Sequence, residues 1–84
     1  MRERTYRARV GVENADRLAN ESRTHWLASE YRPMDVGDGW IELSERALGA
    51  SRELGEDEDG AITDDADGLR IWVGDDAYDL DPVS

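Results

Sequence analysis

The chain has no cysteine, no lysine and no phenylalanine, and only one histidine and two prolines among its 84 residues. Without cysteine there is no disulfide, no zinc–thiolate site, no iron–sulfur cluster and no thiol nucleophile. With His25 alone, a multi-histidine metal centre within one chain is excluded. No apolar run approaches the ~18 residues of a membrane-spanning helix, so no membrane association is expected. Met1 to Arg7 leads into no apolar segment of the signal-peptide kind, and the expected location is the cytoplasm. No glycine-rich phosphate loop is present, and no cofactor is expected.

What is abundant is negative charge. Twenty-one carboxylates against ten arginines leave a formal net charge of −11. Aspartate outnumbers glutamate, twelve to nine, and every basic side chain is arginine. In this respect the composition resembles that of proteins from extremely halophilic archaea, which accumulate molar salt. The resemblance lies in the whole composition and in no motif, so it implies a habitat and no site residues. The physics agrees with it. Such a charge on a small domain is self-repelling in dilute buffer, and at ~1 M salt the screening length falls to about 3 Å. The charge is also uneven: residues 1–32 hold seven arginines and five acids, whereas residues 33–84 hold three arginines and sixteen acids.

Along the chain, Tyr6, Ala8, Val10 and Val12 alternate with Thr5, Arg7, Arg9 and Gly11, which predicts a half-buried strand over 5–12. Asn14 reads as an N-cap. Ala15, Leu18, Ala19, Ser22, Trp26 and Ser29 recur at helical spacing and predict an amphipathic helix over 15–31, closed by Pro33. Met34–Gly39 reads as a turn, and Trp40–Leu43 suits either a strand or the front of a helix. Ser44 is the expected N-cap of a second helix over 45–54, with Gly55 as its stop. Residues 55–68 read as an acidic loop carrying a small strand or wing at Ala61–Thr63. Leu69, Ile71 and Val73 alternate with Arg70 and Trp72 as a strand, and Ala77–Leu80 suits a last short one. Residues 81–84 read as a loose tail.

The expected architecture is therefore one small domain over 1–84, α+β in two layers. Two helices pack on a small, mostly antiparallel sheet that includes residues 5–12 and 69–74. The expected core is Tyr6, Val10, Val12, Leu18, Trp26, Leu43, Leu48, Leu54, Ile71 and Val73. A chain this short buries only about 60–65% of its unfolded surface. Oligomerisation is one way for small domains to gain buried area, and a homodimer is expected on that ground.

Three constellations stand out. Arg7 and Arg9 share a strand face in the arginine-bearing half, where guanidinium groups suit carboxylates, phosphates or the chain's own acids. Arg70 and Trp72 share another strand face, with the composition of an interface anchor. Asp57-Glu58-Asp59-Gly60-Ala61-Ile62 matches the middle of an EF-hand loop, with Asp57 and Asp59 at its third and fifth positions. The first and twelfth ligand positions are Gly55 and Ala66, so two oxygen donors are missing and a solvated loop is the preferred reading. Glu21, His25 and Ser29 line one helix face but form no catalytic triad with an oxyanion hole, and no enzyme is expected. The functional expectation is a non-enzymatic protein-interaction module. The alternatives are a nucleic-acid-binding regulator of winged-helix type using the N-terminal arginines, and a calcium-binding acidic loop.

Overall fold

A computed structural model describes residues 4–21, 32–51 and 59–83. The elements run β1 (Thr5–Arg9), α1 (Val12–Asp16), one wider helical turn of π type (Arg17–Glu21), β2 (Met34–Gly37), β3 (Trp40–Ser44), α2 (Glu45–Ser51), β4 (Ile62–Asp65), β5 (Gly68–Val73), β6 (Asp76–Asp79) and β7 (Asp81–Val83). Among the described residues, seven strands form two antiparallel sheets, one of four strands in the order β2-β3-β1-β7 and one of three in the order β4-β5-β6.

This corrects the expected two-layer α+β architecture. A strand does lie within 5–12, at Thr5–Arg9, and another at Gly68–Val73, but they belong to different sheets. In place of two helices on one sheet, the described residues hold a five-residue α1, its five-residue π extension and a seven-residue α2. The predicted helix over 15–31 begins earlier, at Val12, and residues 22–31 lie outside the described ones. Three segments read as turn or tail are strands. Met34–Gly37 pairs with β3, Asp64 and Asp65 extend β4 beside β5, and Asp81–Val83 pairs with β1. Most residues of these segments are exposed, so no apolar alternation announces them as strands.

Gly11 explains where β1 stops. Its φ of 95° lies in the left-handed region, and the chain leaves the sheet there to begin α1. Val12, the last residue of the alternating run, opens the helix instead and is 70% exposed, so it is not in the core. Asn14 is not the N-cap; that position is Gly11. The Asn14 amide donates instead to the Val10 carbonyl (2.9 Å) and to the Tyr78 hydroxyl (3.1 Å), joining helix, first sheet and second sheet. Ser44 does cap α2, its hydroxyl accepting from the Ala47 N–H at 3.3 Å.

One apolar cluster joins the inner faces of both sheets. β1 supplies Ala8, the residue just after it supplies Val10, β3 supplies Ile41 and Leu43, and β5 supplies Ile71 and Val73. Ala15 and Leu18 enter from the first helical segment, Ala47 and Leu48 from α2, and Leu80 from the link between β6 and β7. Leu18, Ile41 and Ile71 are its largest fully buried side chains, each worth about 1.5–3 kcal/mol of burial. Tyr6 is only partly buried against the cluster, and Trp26 and Leu54 of the expected core lie outside the described residues. Leu80 carries the chain across: its N–H donates to the Leu69 carbonyl (2.9 Å) just before β7 joins the first sheet.

Candidate interaction surface

Because the core takes the inner faces, the outer faces are set by the alternate residues of each strand. On the four-stranded sheet, register places Met34, Glu42, Arg7 and Asp81 in one row across β2, β3, β1 and β7. Trp40 and Arg9 stand opposite each other in the next row, and Ser44, Thr5 and Val83 form the row on the other side. None of these residues belongs to the buried cluster.

At the centre of this face the Arg7 guanidinium lies over the Trp40 ring, 4.2 Å from its centroid, and the Arg9 guanidinium lies 5.9 Å away. Such contacts contribute about 0.5–1 kcal/mol when exposed and more when desolvated. The Arg7 Nε is shielded from solvent and has no hydrogen-bond partner among the described residues. Glu42 and Asp81 are Arg7's direct cross-strand neighbours. Even so, no ion pair within 4.0 Å joins Arg7 or Arg9 to a described carboxylate. The aromatic ring, not an acid, holds Arg7. Met34 on β2 is 65% exposed and Val83 on β7 is 37% exposed, so an apolar side chain stands at one end of each of two rows.

The outer face of the three-stranded sheet carries the second expected pair, and there the arginine has carboxylates within reach, although its Nε, like that of Arg7, has no hydrogen-bond partner among the described residues. Arg70 lies 5.5 Å from the Trp72 ring centroid and reaches Asp67 at 3.5 Å and Asp65 at 3.9 Å. The Trp72 indole N–H donates to the Thr63 hydroxyl at 3.0 Å. The difference between the two faces is that Arg70 reaches two described carboxylates, whereas Arg7 and Arg9 reach none. Trp40, which sequence reasoning leaves unassigned, is therefore the residue that completes the Arg7 and Arg9 site. Its only sequence signal is a tryptophan after a glycine turn, and the register that brings it beside two arginines 31 and 33 positions earlier is not written locally.

Of the acidic-loop pair, Asp57 lies outside the described residues. Asp59 has both carboxylate oxygens engaged: Oδ1 accepts from the Gly74 N–H at 3.0 Å, and Oδ2 lies 3.7 Å from Arg17. It ties the start of the second sheet to the β5–β6 turn. Among the described residues no group of three or more His, Cys, Asp or Glu side chains is placed to hold a metal ion. His25 lies outside the described residues. No described helix is long and apolar enough to cross a membrane. Comparison of the chain with protein-family models, with curated proteins and with solved structures finds no match.

Proposed function

We propose that this chain is a non-enzymatic protein-interaction module of the cytoplasm, adapted to concentrated salt, and that it binds through the outer face of its four-stranded sheet. The observation that carries this reading is the Arg7–Trp40 stack, in which no described carboxylate lies within ion-pair distance of the guanidinium. A tryptophan with adjacent arginine is the kind of anchor that dominates protein interfaces, where planar guanidinium forks match carboxylates. At molar salt, long-range steering is screened, and contact hydrogen bonds and apolar burial are what remain.

An aromatic ring with two arginines on a sheet face also suits stacked bases and phosphates. Charge supports the protein reading over the nucleic-acid one. Glu42 and Asp81 flank Arg7 directly, which places carboxylates where a phosphate backbone would run. The winged-helix arrangement also lacks support, since the β2–β3 hairpin stands where that reading needs the turn between two helices.

The test is a nuclear magnetic resonance titration of the isotopically labelled chain in molar KCl. One probe is a short peptide alternating glutamate and leucine, and the other is an oligothymidylate. The peptide is expected to shift the Trp40 indole N–H and the Arg7 and Arg9 Nε–H signals, and the oligothymidylate is not. Shifts with the oligonucleotide alone favour the nucleic-acid reading. No shift with either probe removes both acidic peptides and nucleic acid as ligands of this surface.

A further inference from the structure

The face around Trp40 differs from the rest of the chain in one measurable respect, which is its charge. Register assigns it two arginines, Arg7 and Arg9, and two carboxylates, Glu42 and Asp81, so it carries no net charge on a chain of −11. Two copies of so acidic a chain repel wherever acidic surfaces meet, and least where a neutral face meets a neutral face. The pattern within the face is also self-complementary. Arg7 stands between Glu42 on β3 and Asp81 on β7, without an ion pair to either. A two-fold axis brings the same patch against itself, so any contact from Arg7 to an acid is made twice.

From the neutrality and this alternation of sign we infer that the partner of the surface is a second copy of the chain, docked outer face to outer face about a two-fold axis. The inference rests on the reading of that face as a protein-binding surface. Face-to-face sheets stack at about 10 Å, a spacing that side chains of the size of Trp40, Met34 and Arg7 fill. Arg7 then donates to Glu42 of the partner subunit or to Asp81 of the partner subunit, and Trp40 and Met34 lose water on both sides. Four strands at ~4.8 Å and five residues at ~3.4 Å give a footprint of about 300 Å² per copy. That is small for a stable interface, so the dimer is weak and in rapid exchange.

Edge pairing is the other way for two β proteins to join, and the strands disfavour it. β7 holds Pro82, which has no N–H to give. β2 is bulged between Asp35 and Gly37, and the Asp35 carboxylate accepts from the Gly37 N–H at 2.9 Å. β4 ends in Asp64 and Asp65, and β6 is bounded by Asp76 and Asp79.

Sedimentation equilibrium in molar KCl at high-micromolar protein decides the matter. The wild-type chain is expected to approach twice its 9.5 kDa mass and to fall back toward the monomer on dilution. Arg7→Glu sets like charges against each other and is expected to abolish the dimer, while a control, Asp75→Asn at the β5–β6 turn, leaves it unchanged. The swapped variant Arg7→Glu/Glu42→Arg/Asp81→Arg restores the alternation of sign and is expected to recover association. This recovery separates lost docking from lost folding. A wild-type monomer at every concentration overturns the dimer, as does a dimer that survives Arg7→Glu. If the chain is monomeric and the Glu–Leu peptide still shifts Trp40, the interaction surface stands and only the second copy is wrong.

Discussion

Gly39 and Gly11 meet backbone to backbone: a Cβ at Gly39 would lie 2.9 Å from the Gly11 Cα. The Gly39 carbonyl accepts from both Val10 (2.8 Å) and Gly11 (3.0 Å), so the β2–β3 turn is clamped onto the point where β1 gives way to α1. Gly39 also sits at φ 84°, a conformation that side chains resist. Gly39→Ala is therefore expected to cost about 3 kcal/mol or more, from clash and backbone strain together. Gly68→Ala, with a similar φ of 100° and nothing within 4 Å of its added Cβ, is the comparison and should cost about 1 kcal/mol. Equal losses in urea titrations of the two variants would refute the close-approach argument.

The Asn14–Tyr78 bond spans 64 positions of sequence and links the first helix to the second sheet. Tyr78→Phe removes it while leaving the Asn14 bond to the Val10 carbonyl intact. A loss of about 1 kcal/mol is expected. A double-mutant cycle with Asn14→Ala measures the coupling, and additive losses in that cycle would show that the bond does not form in solution.

Asp59 offers a test of structural against ligand-binding acid. Asp59→Ala removes the acceptor for the Gly74 N–H and should cost about 1–2 kcal/mol. Asp59→Asn keeps an acceptor oxygen and loses only the partly exposed contact with Arg17, so its cost should stay within a few tenths of a kcal/mol. Calorimetry with calcium in concentrated KCl is expected to show no binding heat that depends on Asp57 and Asp59. Heat that disappears in the Asp57→Asn/Asp59→Asn variant would restore the calcium reading.

The core is small enough for single truncations to weigh heavily. Ile71 is fully buried at the centre of β5, between Ile62 on β4 and Tyr78 on β6. Ile71→Ala is expected to cost about 2–5 kcal/mol. For a domain whose whole stability is typically about 5–15 kcal/mol, that loss is enough to bring unfolding close to room temperature in dilute buffer.

Salt is the remaining variable. If the net charge of −11 reflects adaptation to concentrated salt, the melting temperature should climb steeply from dilute buffer to molar KCl. Each kcal/mol of relieved repulsion corresponds to about 4–8 °C in a chain of this size. A melting temperature that is flat across that range would leave the acidic composition without this cause.

The strands that sequence makes legible are those that bury one face. In β1 and the residue after it, Ala8 and Val10 face the core while Arg7 and Arg9 do not, and in β5 Ile71 and Val73 alternate with Arg70 and Trp72. Trp40–Ser44 alternates as well, but five residues are too few to tell a strand from a helix front. Met34–Gly37 and Asp81–Val83 are exposed throughout, so only backbone pairing makes them strands, and no side-chain period records it. The site follows the same logic. Arg7 and Arg9 are visible as a pair on one strand face. Trp40 joins them only through the β1–β3 register, a property of tertiary pairing.

Concentrated salt removes the defence that acidic proteins otherwise have against sticking together, because repulsion fades beyond a few ångströms. What then keeps such chains apart must act at contact range. The proline in β7, the self-capped bulge in β2 and the aspartates on β4 and β6 do act at that range. Each blocks a sheet edge by shape or by local desolvation cost, whatever the ionic strength. A chain built this way can be crowded in brine without forming a growing ribbon, and the proposed dimer would be confined to one neutral face of limited area.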